Sequence, residues 1–195
     1  DHCKRLAVVA NRFDGDANLK RDIYFQALNE AKYFVHFMTW GNVGEIFQSA
    51  FKMISLRKVR IRGITANSNR PLEFKNSFFG GYEIYNISNT ATSNGYRDNS
   101  MPHQKITIID GLLMFKGSAN LSKASWEAAD ADGELIEIST NLDEIVKTHN
   151  KLFSPWWQKV CDHTTLYKEE YDILKPTGGN EIVDMSLPLN GDLPF

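Results

Sequence analysis

The chain has 195 residues, of which 42% are hydrophobic, enough to bury one well-packed domain and too few for two large ones. Its 22 Lys and Arg against 24 Asp and Glu leave a net charge of -2, which excludes a strongly cationic nucleic-acid coat or a polybasic membrane binder. Two cysteines exclude a disulfide-dense secreted scaffold, and no uninterrupted apolar run reaches the ~18 residues of a membrane span. No membrane anchor is therefore expected, and a cytoplasmic chain is. Starting at Asp1, it reads as processed or excised from a larger protein.

The first predicted element is a helix over 18–32, where Leu19, Ile23, Ala27 and Ala31 recur every four residues. An aromatic-rich strand follows at Tyr33–Trp40. A second amphipathic helix spans 43–55, with Val43, Ile46, Phe47, Ala50, Phe51 and Ile54 on one stripe. Strands are predicted at Val59–Thr65 and Tyr82–Ile87. This β-α-β alternation indicates an α/β sandwich, a mixed sheet with helices on both faces.

The polar stretch Ser88–Pro102 reads as a long, functional loop. Lys105–Ile109 and Leu112–Lys116 are strands flanking Asp110-Gly111, a pair that favours a tight hairpin. Glu134–Ser139 is a further strand. A third helix is expected over 142–157, with His149 on its apolar stripe and Pro155 ending or kinking it. Residues 1–162 then form one domain. Residues 163–195, acidic and broken by Gly and Pro, form an extension that reads as an arm or a linker.

With Asp110-Gly111 as a two-residue turn, His103 faces Ser118 and Lys105 faces Lys116. His103, Lys105, Ser118 and Asn120 would then share one hairpin face. Those groups suit phosphodiester cleavage. A neutral imidazole is a competent nucleophile near pH 7, and Lys, Ser and Asn can donate to phosphoryl oxygens. No Cys/His group has metal-ligand spacing, so neither a metal nor a cofactor is expected.

The same residues form a signature. His103-Gln-Lys105, four residues, Asp110, six residues, Gly117-Ser118-Ala-Asn120 fits HxKx4Dx6GSxN in full. The segment resembles the phospholipase D superfamily, the HKD phosphodiesterases, and in particular its short single-motif nucleases. The resemblance implies a phospholipase D-like sandwich and catalysis through a phosphohistidine on His103. It implies that Lys105 and Asn120 bind the phosphate with Ser118 in support. Asp110 would stabilise the motif outside direct phosphate contact, a role that competes with that of a plain turn residue. Glu134, in Asp132-Gly-Glu134 where the family often has Asn-x-Glu, is the candidate to orient the histidine. Only one full motif is present, whereas the two-step reaction needs two histidines. A homodimer with both motifs at its interface is the implied solution.

The expected activity is a metal-independent nuclease on DNA or RNA. The alternatives are a phospholipid phosphodiesterase, or a non-catalytic dimerisation or nucleic-acid-binding module of a larger protein. Lys52, Arg57, Lys58, Arg60 and Arg62 form a basic cluster, with Arg60 and Arg62 alternating on one side of a strand. They read as a solvated strand face or as a phosphate-backbone track. Arg97 in the long loop is a further candidate for nucleic-acid contact.

Overall fold

The computed structural model describes residues 1–15, 19–67, 73–79, 82–88, 103–131 and 133–163. Arg97, Asp132 and all of the expected extension beyond His163 lie outside these residues. The elements run α1 (His2–Gly15), α2 (Lys20–Glu30), β1 (Phe34–Trp40), α3 (Glu45–Ser55), β2 (Arg60–Asn67), β3 (Glu73–Phe79), β4 (Tyr82–Ser88), β5 (Lys105–Ile109), β6 (Leu113–Gly117), α4 (Lys123–Asp130), β7 (Ile136–Ser139) and α5 (Leu142–Thr148). A π turn (His149–Phe153) then leads directly into α6 (Ser154–His163). No described helix is long and apolar enough to cross a membrane.

The seven strands form one mixed sheet in the order β3-β4-β2-β1-β5-β6-β7. β1, β2 and β4 run parallel, and the other neighbouring pairs are antiparallel. Because β1 is central and covered on both sides, its residues are buried in succession rather than alternately. Val35 and Phe37 join the core made with α1–α4, which includes Phe13, Tyr24, Phe47 and Trp126. Phe34 and Met38 point the other way, to a second core built with Ile145, Phe153 and Trp157. The sheet thus carries helices on both faces, as the alternation of elements implied.

Three elements were not anticipated. α1 carries a helical stripe of Leu6, Val9, Ala10 and Phe13, all buried. α4 is short; Ser122 caps it by accepting from the Ser125 N–H, while Trp126 and Ala129 anchor its inner face. β3 pairs antiparallel with β4 at the sheet edge.

The C-terminal helix corrects a second expectation. Pro155 does not end it; the chain stays helical to His163. The turn before the proline widens instead, and the Ser154 N–H donates to the carbonyl five residues back, that of His149. A widened turn accommodates a residue that has no N–H to offer.

Two further corrections concern side chains. The hairpin has a three-residue loop, Asp110-Gly111-Leu112, closed by the Leu112 N–H on the Ile109 carbonyl. Asp110 (φ 54°) and Gly111 (φ 68°) are both left-handed, and the extra residue moves the register by one. Lys105 therefore pairs with Gly117, not Lys116. Arg60 and Arg62, expected at the surface, are buried. The Arg60 Nη2 lies 3.4 Å from a Glu83 carboxylate oxygen, and the Arg62 guanidinium sits 5.3 Å over the Trp157 ring. β2 is an inner strand, so both of its faces are covered and alternation cannot take a side chain to water.

Candidate active site

The shifted register means that the hairpin face alone does not assemble the motif. Lys105 shares its face with Gly117, so Ser118 and Asn120 would point to the other side if β6 continued. β6 stops at Gly117, and the chain turns across the end of β1. The Thr39 hydroxyl accepts from the Leu121 N–H at 2.9 Å, and the Gly44 N–H donates to the Leu121 carbonyl at 2.8 Å. The Asn120 side-chain oxygen accepts from the Trp40 N–H at 3.1 Å. That bond commits the carbonyl end of the amide, so its NH2 is the end that can donate to an anion.

Gly117 sets the distance between β6 and the chain entering β7. A Cβ at this position would lie 1.9 Å from the Leu135 carbonyl oxygen, so no side chain fits. The close approach lets the Ser118 N–H donate to the Leu135 carbonyl and the Leu135 N–H donate to Ser118 Oγ, each at 2.9 Å. Ser118 Oγ in turn donates to a carboxylate oxygen of Glu134. Glu134 stands just before β7 rather than in a strand.

His103 is exposed, two residues before β5 begins at Lys105. Lys105 Nζ donates to His103 Nδ1 at 2.9 Å and to the His103 carbonyl at 3.0 Å. Partial burial lowers the pKa of Lys105, and the negative charge of Glu134 opposes that shift. The Trp40 ring lies against the imidazole, with centroids 4.6 Å apart and a 38° tilt.

The contacts fall into two groups: Lys105 on His103, His103 against Trp40 and Trp40 on Asn120 in one, and Ser118 on Glu134 in the other, with the Glu134 charge acting on Lys105 between them. Five residues singled out in the sequence thus meet where β1 ends, β5 begins and β6 ends. Asp110 does not join them. It sits at the far end of β5, where its Oδ1 accepts from the Tyr33 and Phe34 N–H groups and its Oδ2 from Lys32 N–H and His2 Nε2. Phe34 and Trp40 mark opposite ends of β1, a separation of about 20 Å at ~3.3 Å per residue. Arg60 and Arg62 lie in the core beneath α6 and do not reach the site.

Trp40 is the site residue that the sequence reading missed. Its signal was its position, the last residue of the aromatic strand and directly before Gly41. Among the described residues, no group of three or more His, Cys, Asp or Glu is arranged to hold a metal ion.

The model of the family described as "Cardiolipin synthase, PLD-like domain" matches residues 24–157, well over half of the chain and every residue of this cluster. The chain belongs to the phospholipase D superfamily. Two solved structures resemble this phospholipase D-like chain. One is NucT from Helicobacter pylori, at 21% identity and a TM-score of 0.49, covering 74% of this chain and 91% of that one. The other is Nuc, a phospholipase D family member from Salmonella typhimurium, at 16% identity and a TM-score of 0.45, covering 73% and 87%. No curated protein sequence matches the chain.

Proposed function

We propose that this chain cleaves the phosphodiesters of DNA or RNA without a metal ion, through a phosphohistidine on His103. The observation that carries the reading is the cluster itself: one exposed imidazole with an ammonium on it, and an amide, a hydroxyl and a carboxylate gathered at the same strand ends. A phosphoryl group placed there would receive N–H donors from Lys105 and the Asn120 amide, with Ser118 in support. Donors held in position stabilise the charge that builds on non-bridging oxygens during transfer.

In the proposed reaction, a His103 nitrogen forms a bond to phosphorus as the bond to the leaving oxygen breaks. That oxygen takes a proton from His103 of a second copy, because one chain supplies only one complete motif. Water then attacks the phosphohistidine, gives its proton back to the second histidine and restores the first. The active enzyme is accordingly a homodimer with both motifs at its interface. A cytoplasmic location belongs to the same proposal. The sequon residue Asn120 falls inside the proposed site, a poor place for a glycan.

The test is cleavage of single-stranded DNA, duplex DNA and RNA in excess EDTA, with His103→Ala as control. The wild type should cut, and the variant should be slower by roughly 10³-fold or more, because the covalent route is gone. Failure to cut any of the three, or equal cutting by the variant, would overturn the assignment.

A further inference from the structure

Trp40 holds two groups of the site at once. Its main-chain N–H donates to the Asn120 side-chain oxygen at 3.1 Å, and its ring packs on the His103 imidazole with centroids 4.6 Å apart. These are the proposed nucleophile and one of the proposed phosphate-binding groups. They come from separate stretches of chain, one before β5 and one after β6.

The two ends of this link differ in rigidity. Trp40 is the last residue of β1, an inner strand. It pairs with Ala66 of β2, and the Gly41 N–H donates to the Ala66 carbonyl at 2.7 Å. Gly41 has a φ of 78°, so the chain turns away directly behind the tryptophan. His103, by contrast, is exposed and stands outside its strand. An exposed imidazole turns about two side-chain bonds, and an aromatic ring packed against it removes much of that freedom. Lys105 Nζ meets the imidazole at 2.9 Å, but its flexible four-carbon stem follows the ring more than it fixes it.

Attack on phosphorus needs a ring nitrogen in line with the bond that breaks, and a misplacement of ~1 Å costs roughly 10²-fold in rate. We infer that Trp40 is a positioning residue: its indole sets the plane of the His103 imidazole while its main chain sets the Asn120 amide. One strand end thereby holds the nucleophile in register with a phosphate-binding group. The inference rests on the reading of this site as a phosphodiester site and adds how its parts are aligned. Trp40 itself touches neither phosphorus nor the leaving oxygen in this scheme.

Replacing the side chain leaves the main-chain bond to Asn120 in place, which isolates the ring. The assay is steady-state cleavage in EDTA of whichever nucleic acid the wild type cuts fastest, with each variant's fold checked from its amide spectrum. Trp40→Ala should lower kcat roughly 10- to 100-fold and leave KM within about twofold. Trp40→Phe, still planar, should recover most of the loss. Trp40→Leu, apolar but not planar, should not. The His103 ring protons, assigned by the signals lost in His103→Ala, should carry an indole ring-current shift that Trp40→Ala and Trp40→Leu abolish.

Unshifted ring protons in the wild type would overturn the contact itself. An unchanged kcat in Trp40→Ala, or full recovery by Trp40→Leu, would overturn the positioning role. A raised KM with kcat intact would overturn it as well, because the indole would then be a contact for the substrate. The wild type separates this inference from the functional reading. A wild type that cuts none of the substrates refutes the nuclease and this role with it. Cleavage that is indifferent to Trp40 refutes the positioning role alone.

Discussion

A carboxylate shut away from water is stable only where the protein replaces the lost donors. Asp110 meets that condition four times over, with three backbone N–H groups at the entry to β1 and the His2 imidazole at 2.6 Å. None of these contacts faces a substrate. They join the first turn of α1, the start of β1 and the hairpin loop at one point. Asp110→Ala leaves buried donors without an acceptor and should cost about 3 kcal/mol or more. Asp110→Asn keeps one acceptor oxygen and should fall between. Urea unfolding checks both, and phosphate affinity of the folded variants should equal that of the wild type. Intact stability with lost phosphate binding would instead place Asp110 at the chemistry.

At the scale of an element, the helix that ends the described chain holds a pH sensitivity. His149, Phe153 and Trp157 recur every four residues, which overshoots a turn of 3.6 residues, and the π turn takes up the excess. The result brings His149 against the sheet, where its Nε2 lies 2.8 Å from His36 Nδ1. Both rings are fully buried, near Arg60, Arg62 and Glu83. Burial pushes the His149 pKa down to about 3, with the Arg62 charge adding to the effect and a hydrogen bond to Asn150 opposing it. Burial, then His149 and the two arginines, holds His36 well below the ordinary imidazole value. A histidine whose folded pKa is depressed binds its proton more readily when unfolded, so stability is lost as pH falls. The loss should begin near pH 6.5 and steepen by up to about 1.4 kcal/mol per pH unit for each histidine. Urea midpoints between pH 7 and pH 4 read it, and His149→Gln should flatten the slope. A stability that is level across that range would show that the rings are not held neutral.

The same helix shows where the sequence was legible. β1, β5, β6, α2 and α3 are readable because long apolar patterns and the Asp-Gly pair dominate their neighbourhoods. α1 carries an equally regular stripe, but its polar, charged start masks the period. α4 has only two buried anchors, and β3 carries Phe74, Phe78 and Phe79 but Asn76 between them breaks the alternation. Arg60 and Arg62 alternate like solvent-facing residues, and only the position of β2 inside the sheet reverses that reading. At the site, the signature picked out His103, Lys105, Ser118 and Asn120 without regard to register, and the family resemblance added Glu134 beyond it. Trp40 lies outside the signature and needs the fold to bring it near.

For the whole molecule, the proposed two-histidine reaction makes assembly a condition of turnover. The proposed dimer should sediment at twice the 22.2 kDa chain mass at concentrations where it is active. Full activity from a strictly monomeric species would refute the two-histidine scheme. The spacing inside the motif also acquires a physical meaning. Lys105 and Asp110 are fastened at opposite ends of β5, one at the site and the other on Phe34, and the residues between them span the sheet's width along that strand. Their number is a ruler cut to that width, and it also fixes parity. Removing one residue from Ile106–Ile109 would leave Asp110 in place and turn the Lys105 ammonium through the sheet, toward the apolar layer of Phe34 and Met38. A gap in this stretch would therefore cost the molecule its cation as well as its length.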